Sequence, residues 1–402
     1  MADLLGFTSI ALISILTFFV AFKWPDISRI LYAALIVRVI VMLLGHYVIT
    51  LPDSTYDARG FEHGAWNYAK DGFINLYYNY PGANSAFYRW MIAIPYSLFG
   101  RSLLMAQSFS LLIGLGCVFL GWLLTKKIWN KDIASRAGWI LALFPSLILY
   151  SVLTLREIYV CFFLIVAMFG VVNWARDNSY KSIALAMFGF ISGTLFHGGI
   201  IIGAMIFTLF VLIRSIKKIF KLSLSYRTSL KSLLIIISTL IILQLYFSNK
   251  IHIAKLGTFK DSIDIKRLQF ETKNRLRGEA SYPEWTKVEK PSEFFTKGFV
   301  RVLYLLFSPF PWDVKKMGHL IGMLDGLFYI GLVYLIILNR KIIWQDPALR
   351  LILIILGCYL FIFGIGVSNF GAGTRHRAKF VIELIILAAP LIPKFTFFKK
   401  KN

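Results

Sequence analysis

Apolar runs recur from one end of the chain to the other, at 4–22, 28–50, 102–124, 136–153, 157–174, 182–197, 199–215, 231–248, 320–338, 349–367 and 379–393. A crossing helix needs about 20 apolar residues, and some of these runs only just qualify. Two further runs, 87–99 and 296–310, are interrupted or ended by proline: Pro95 in the first, and Ser308-Pro309-Phe310-Pro311-Trp312 closing the second. A helix of about 13 residues reaches only roughly 20 Å. The segment 87–99 is therefore expected to lie at the interface, and 296–310 to form a re-entrant turn. The pattern predicts an all-α polytopic membrane protein of about eleven spans. It forms one membrane domain over 1–402, with an outer loop and juxtamembrane helices at 52–100 and an outer loop plus re-entrant segment at 249–312.

Composition agrees, since 58% of the 402 residues are hydrophobic and 16% charged, against about 25% charged in a soluble domain. The formal charge of +24 would suit nucleic acid if it were spread over one surface. Instead Lys and Arg cluster between the apolar runs, at Lys23/Arg29, Lys126/Lys127/Lys131, Arg176/Lys181, Arg214 to Lys231, Arg340/Lys341 and Lys394 to Lys401. Cytoplasmic loops are marked in this way, so no nucleic-acid partner is expected. All six clusters share one side if 87–99 and 296–310 do not cross, which puts the N-terminus outside a cell (inner) membrane and the C-terminus in the cytoplasm. The basic loop 249–295 departs from the bias, as long loops do. Leu4 to Phe22 lacks a basic leader and a cleavage site and is expected to remain as a span. Cys117, Cys161 and Cys358 sit inside apolar runs and read as packing residues. No internal repeat is visible, which argues against a transporter built of inverted halves.

This topology gathers the unusual polar residues on the outer side. Pro52 to Ala69 carries Asp53, Asp57, Glu62 and His63, and the helical spacing of Asp57, Phe61, Ala65 and Ala69 predicts an amphipathic surface helix opening at Asp57. A plain N-cap accounts for Asp57 equally. Facing these acids are Arg89, the pair Arg156-Glu157, His197, and the segment Asn369 to Lys379 with Arg375, His376, Arg377 and Lys379. That last segment reads as a glycine-bearing outer loop leading into a helix. Glycines allow close approach, helix N-termini attract anions, and Arg forks grip phosphate, so a lipid phosphate is its natural occupant. A basic rim on phospholipid headgroups is the plainer alternative. Arg38, deep in the second run, either serves function or snorkels to the cytoplasm. The sequence holds no P-loop, HExxH, GxSxG or DxD, and its six His are too scattered for a zinc site. No metal site and no cofactor are expected, although a divalent cation beside the acids remains compatible with the pattern.

Asp57, with an aromatic four residues on and Ala eight on, resembles the first outer loop of GT-C class glycosyltransferases, such as protein O-mannosyltransferases and lipid A aminoarabinose transferases. The resemblance continues through Tyr80-Pro81, Phe87 to Gly100, Ala106, Phe144-Pro145-Ser146 and Tyr150 to Glu157, covering roughly residues 50–210. It implies a catalytic role for Asp57 and a donor sugar carried on a polyprenyl phosphate. Ala58 stands where many relatives have a second acid, which puts a two-carboxylate or metal-assisted variant in doubt. Gly373 to Arg377 is similar to segments of bacterial polysaccharide-assembly membrane proteins, which implies a surface-glycan context.

The expected activity is therefore an inverting sugar transfer from a polyprenyl-phosphate-linked sugar to a glycan or lipid acceptor. Asp57 would act as base, and Arg375, Arg377, Lys379, Arg89 and Arg156 would bind the lipid phosphate. Asp53, Glu62, His63, Glu157, His197 and His376 would contact substrate, and membrane lipids would surround the whole. Two alternatives remain. One is an oligosaccharide polymerase or ligase using a polyprenyl-diphosphate-linked glycan, and the other is a lipid or solute transporter or flippase. A shared site requires Asp57 and Arg375 to lie within about 15 Å of each other.

Overall fold

A computed structural model describes residues 2–82, 86–220, 244, 280–288, 292–315 and 317–394. The described helices are α1 (Ala2–Lys23), α2 (Ser28–Tyr47), α3 (Tyr56–Ala69), α4 (Gly72–Tyr78), α5 (Phe87–Phe99), α6 (Leu103–Ile128), α7 (Lys131–Leu143), α8 (Pro145–Tyr150) and α9 (Glu157–Asp177). After them come α10 (Tyr180–Phe196), α11 (Ile201–Phe220), α12 (Glu293–Phe307), α13 (Met317–Leu338), α14 (Arg340–Gln345), α15 (Pro347–Gly366), α16 (Phe370–Ala378) and α17 (Val381–Ala388). The fold is all-α. Seven segments, Ala2–Lys23, Ser28–Tyr47, Leu103–Ile128, Glu157–Asp177, Gly198–Lys217, Met317–Leu338 and Pro347–Gly366, are long and apolar enough to cross a membrane. The expected span 231–248 and most of loop 249–295 lie outside the described residues.

The basic clusters gather on one face. Asp26 pairs with Lys126 at 3.6 Å and Lys131 at 2.5 Å. Arg176 donates to the Lys127 carbonyl at 2.8 Å, and Arg136 to that of Ile392 at 2.8 Å. The guanidinium of Arg214 lies 5.2 Å from the Trp174 ring centre. At the opposite face Asp3 approaches His46 at 3.9 Å, and Ser102, the N-cap of α6, bonds the Ala2 carbonyl at 2.7 Å. Both ends of α5 belong to this second face: Phe87 packs on Phe196 at the end of α10, ring centres 5.6 Å apart, and Gly100 leads directly to Ser102. The close pair α9–α10 is built on small residues. A Cβ on Gly170 would fall 2.2 Å from the Ala186 nitrogen, and one on Gly189 2.3 Å from that of Ala167, the kind of contact that lets helices meet in lipid.

Two expected spans are broken. The run 136–153 forms α7 and α8, parted at the extended Phe144. Pro145 has no N–H to give the Leu141 carbonyl, and its ring excludes a continuous helix. Arg38 closes the gap. It donates to the carbonyls of Ala142 at 2.7 Å and Leu141 at 3.3 Å and to Ser151 Oγ at 3.2 Å. Fully buried, it neither snorkels nor lines a polar site. The second break corrects the reading of 369–379 as a loop. Asn369 caps α16 by accepting from the Ala372 N–H at 2.7 Å, so Gly371 and Gly373 lie inside a helix that bends at Lys379-Phe380 into α17. Gly373 is required by Tyr282, whose hydroxyl sits 2.6 Å from where a Cβ would stand.

Arg38→Met removes the donors for two buried carbonyls while preserving side-chain bulk. It is expected to cost about 2–4 kcal/mol, read as a lowered thermal unfolding midpoint of the purified protein; an unchanged midpoint would show that the break is closed by other groups.

Candidate active site

The site is assembled where α3, α9 and α16 meet beside the loop that follows α2. Asp57 stands in the first turn of α3, where the helix dipole favours a carboxylate, and its side chain is 62% exposed. Glu157 opens α9 and is buried. Between them lies Arg375, a full turn into α16. Its Nη2 is 3.0 Å and its Nε 3.3 Å from Glu157 Oε1, and its Nη1 donates to Asp57 Oδ2. Lys379 Nζ is 3.8 Å from the same Glu157 oxygen and 2.9 Å from His376 Nδ1. The His376 ring lies 5.2 Å from His197 at the end of α10, and both rest on Phe363. Asp53, at a φ of 59°, accepts from the Tyr150 hydroxyl at 2.9 Å. Burial pushes the Asp53 carboxyl above the usual aspartate range, against the opposing pull of Arg375 and Tyr150.

Two further cations flank this cluster and form no ion pair with an acid among the described residues. The guanidiniums of Arg156 and Arg89 lie 4.7 Å and 5.5 Å from the centre of the Phe61 ring. The stem of Arg89 runs across Gly64, where a Cβ would meet its Cδ at 2.6 Å. Among the described residues neither Nε finds an acceptor. Burial lowers the pKa of Arg156, with Glu157 acting against it. Together these features make an anion-accepting position next to a carboxylate group.

Four expected site residues, Arg377, Lys379, Glu62 and His63, are placed other than the sequence predicts. Arg377 is fully buried and donates to Asp325 at 2.8 and 3.0 Å and to the carbonyls of Ser308, Gly322 and Leu306 at 2.6, 2.8 and 3.1 Å. Its donors are consumed by the protein, so it does not present a fork to a lipid phosphate. Lys379 is likewise buried, because the segment is helix and not rim. Glu62 is turned away from Asp57, accepting from Arg101 at 2.7 and 2.9 Å and from Tyr96 at 3.0 Å. His63 is exposed on a different side of α3 from Asp57. Tyr150 and Asp325 were given no role by the sequence reading. A lone acid in the apolar run 320–338 is the signal that marks Asp325.

A cavity of about 630 Å³ opens beside the cluster, with Asp53, Tyr150, His319, Asp325 and Thr374 among its walls. Among the described residues no group of three or more His, Cys, Asp or Glu is placed to hold a metal ion.

The family described as dolichyl-phosphate-mannose-protein mannosyltransferase matches residues 84–242, about two fifths of the chain. Among solved structures, the archaeal oligosaccharyltransferase AglB from Archaeoglobus fulgidus, in complex with an inhibitory peptide and a dolichol-phosphate, shares the fold with a TM-score of 0.52 at 12% identity. The likeness covers 92% of this chain and 50% of that one, so the chain spans half of its length. No curated protein matches the sequence. Over residues 84–242 the chain is similar to that mannosyltransferase family, and over most of its length it shares the fold of AglB. It is an all-α polytopic membrane protein, and the resemblance read from residues 50–210 overlaps the matched segment. Asp57 touches Arg375 directly, far inside the separation that a shared site requires.

The Glu62 pair gives a pH test of the scaffold. Burial alone would raise the Glu62 pKa, but Arg101 and Tyr96 outweigh it and hold it below the ordinary glutamate value. A depressed carboxylate stabilises above its unfolded pKa and loses that contribution as pH falls through the folded one. Glu62→Gln should therefore lower the unfolding midpoint at pH 7, and the gap to the parent should close below about pH 4; a gap that persists in acid would assign the loss to packing.

Proposed function

We propose that this protein transfers a sugar from a polyprenyl-phosphate donor to a glycan or lipid acceptor, by an inverting reaction at the non-cytoplasmic face, in a bacterial surface-polysaccharide context. The basic face is then cytoplasmic and the N-terminus outside. The observation that supports this reading is the pair of guanidiniums, Arg156 and Arg89, stacked on Phe61 with buried Nε groups that find no acceptor among the described residues, Arg156 lying within electrostatic reach of Glu157, Arg375 and Asp57. The matched family's name and the dolichol-phosphate in the AglB structure support a prenyl-phosphate donor.

In this reading the donor phosphate lies against Arg156 and Arg89. Asp57, the exposed acid of the cluster, takes the proton of the acceptor hydroxyl while that oxygen attacks the anomeric carbon. The bond from that carbon to the phosphate oxygen breaks, its electron pair leaves with the phosphate, and the guanidiniums meet the developing charge. Arg375 orients Asp57 through their ion pair, and buried Glu157 fixes Arg375 in turn. His197, His376 and Lys379 wall the cation side.

The test is transfer by the purified protein in nanodiscs supplied with prenyl-phosphate sugars, with the glycosylated product followed by mass spectrometry. Asp57→Asn should reduce kcat by about 10²–10⁴ while leaving the fold intact, and normal turnover would remove Asp57 from the reaction. Arg156→Ala should weaken donor binding and transition-state stabilisation together, lowering kcat/KM by about 10²–10³; a variant with unaltered donor kinetics would place the phosphate elsewhere.

A further inference from the structure

On the basic side of the Pro145 break, α7 and α13 enclose an apolar slot of about 580 Å³, walled by Trp139 and Leu143 on one helix and by Leu327, Gly331 and Leu335 on the other. Among the described residues its walls carry no charged side chain. One end is fixed by Phe144, whose ring packs on those of Phe328 and Tyr329 with centres 5.8 and 5.4 Å apart. The other end reaches Ile392, at the face where the basic clusters gather. The end of α13 lies at that face too. Asn339, the residue after it, donates to the Leu387 carbonyl at 3.2 Å, and Trp129 from the basic end of α6 donates to that of Ile386 at 3.0 Å.

Depth identifies the occupant. Leu327 stands at the middle of the 22-residue α13, and from Leu327 to Leu335 the slot follows the helix for roughly 12 Å. That is close to one leaflet of a hydrocarbon core about 30 Å thick. Water does not settle between apolar walls, and Leu327, Phe328 and Tyr334 are more than half exposed, so the slot opens sideways to lipid. A prenyl chain anchored at the opposite face would have to cross the other leaflet before entering it.

The head follows from Arg136, one turn before Trp139 and Ile140 on α7. Its Nη1 donates to the carbonyls of Ile392 at 2.8 Å and Pro390 at 3.3 Å. Among the described residues its Nη2 has no acceptor and no acid pairs with it. A guanidinium at the end of a tail slot grips phosphate, and Trp139 and Tyr334 beside it are residue types that settle at headgroup depth. A zwitterionic head would bring an ammonium next to the guanidinium, whereas an anionic one brings none.

We infer that this slot is a specific site for an anionic phospholipid of the basic-face leaflet, with one acyl chain between α7 and α13 and the phosphate at Arg136. The site is separate from the sugar transfer proposed above and does not depend on it.

The test is binding. The full-length protein in phosphatidylcholine nanodiscs is photolabelled with a phosphatidylglycerol bearing a diazirine in one acyl chain, and the crosslinks are mapped by peptide mass spectrometry. Labelling within 139–145 and 327–335 should saturate as the photolipid fraction rises and be displaced by unlabelled phosphatidylglycerol, while annular labels elsewhere rise in proportion. Gly331 lines the slot and has no atom within 4 Å of a built Cβ, so Gly331→Phe fills it without a clash. That variant should keep its unfolding midpoint and lose the saturable labelling by about tenfold, the factor expected when roughly two methylenes of tail burial are denied. Arg136→Gln should label equally with phosphatidylglycerol and phosphatidylcholine probes; if its midpoint falls, the same headgroup comparison in the parent and Gly331→Phe decide. Labelling that never saturates, equal labelling of the parent by a phosphatidylcholine probe, displacement by a polyprenyl phosphate, undiminished labelling of Gly331→Phe, or a headgroup preference that persists in a stably folded Arg136→Gln would each overturn the proposal.

Discussion

A backbone carbonyl at membrane depth has no water to turn to, so every place where a helix stops must bring its own donor. This chain stops its helices repeatedly inside its apolar body, and among the described residues three arginines attend such breaks. Arg38 serves the interruption before Pro145. Arg301 serves the end of α15 and the turn after it, donating to Gly364 O at 3.1 Å, Ser368 Oγ at 3.0 Å and Thr286 O at 3.2 Å. Arg377 serves the end of α12 and the upper part of α13. The breaks are what make room for chemistry. The one before Pro145 presents Ser146 and Tyr150 to the cavity, and without it a continuous helix would fill the space that Asp53 faces.

Arg375 differs from these three because its partners are acids on other elements. By holding Asp57 on α3 and Glu157 on α9 at once, it fixes the surface helix to the bundle and sets the position of the exposed carboxylate. The same engagement limits what it can do for a ligand. A phosphate would have to compete with two carboxylates for Arg375, whereas Arg156 and Arg89 stack on an aromatic face, an interaction of about 0.5–2 kcal/mol each, and form no ion pair among the described residues. The division between structural and available guanidiniums therefore follows from what each faces.

This division explains how far the sequence was legible. Hydropathy and the spacing of basic clusters locate the long helices, the basic face and the gathering of Asp57, Arg375 and Glu157 away from it, because each depends on properties summed over many residues. The role of an individual cation depends on one local fact, whether its segment is helix or loop. Glycines at 371 and 373 read as loop, but Gly373 answers to Tyr282, a residue some ninety positions earlier whose approach no local pattern encodes. With 369–379 helical, Arg377 and Lys379 turn inward. Glu62 fails as a site residue for a similar reason, since its partner Arg101 lies beyond α5 and is brought back only by the packing of α5 on α3. Arg38 reads as costly and hence functional; the alternative that a break in another helix requires it becomes visible only when Pro145 is seen beside it.

Charge is also distributed across the site in a sense that suits the proposed reaction. Near the Asp57–Arg375 contact stand two guanidiniums that form no ion pair among the described residues, and Asp53 and Asp325 line a cavity beside the cluster. Inversion requires the attacking oxygen and the leaving phosphate on opposite faces of the anomeric carbon. In the proposed reaction a phosphate held at Arg156 and Arg89 would have to face away from the acceptor hydroxyl at Asp57, whose position is set by its ion pair with Arg375.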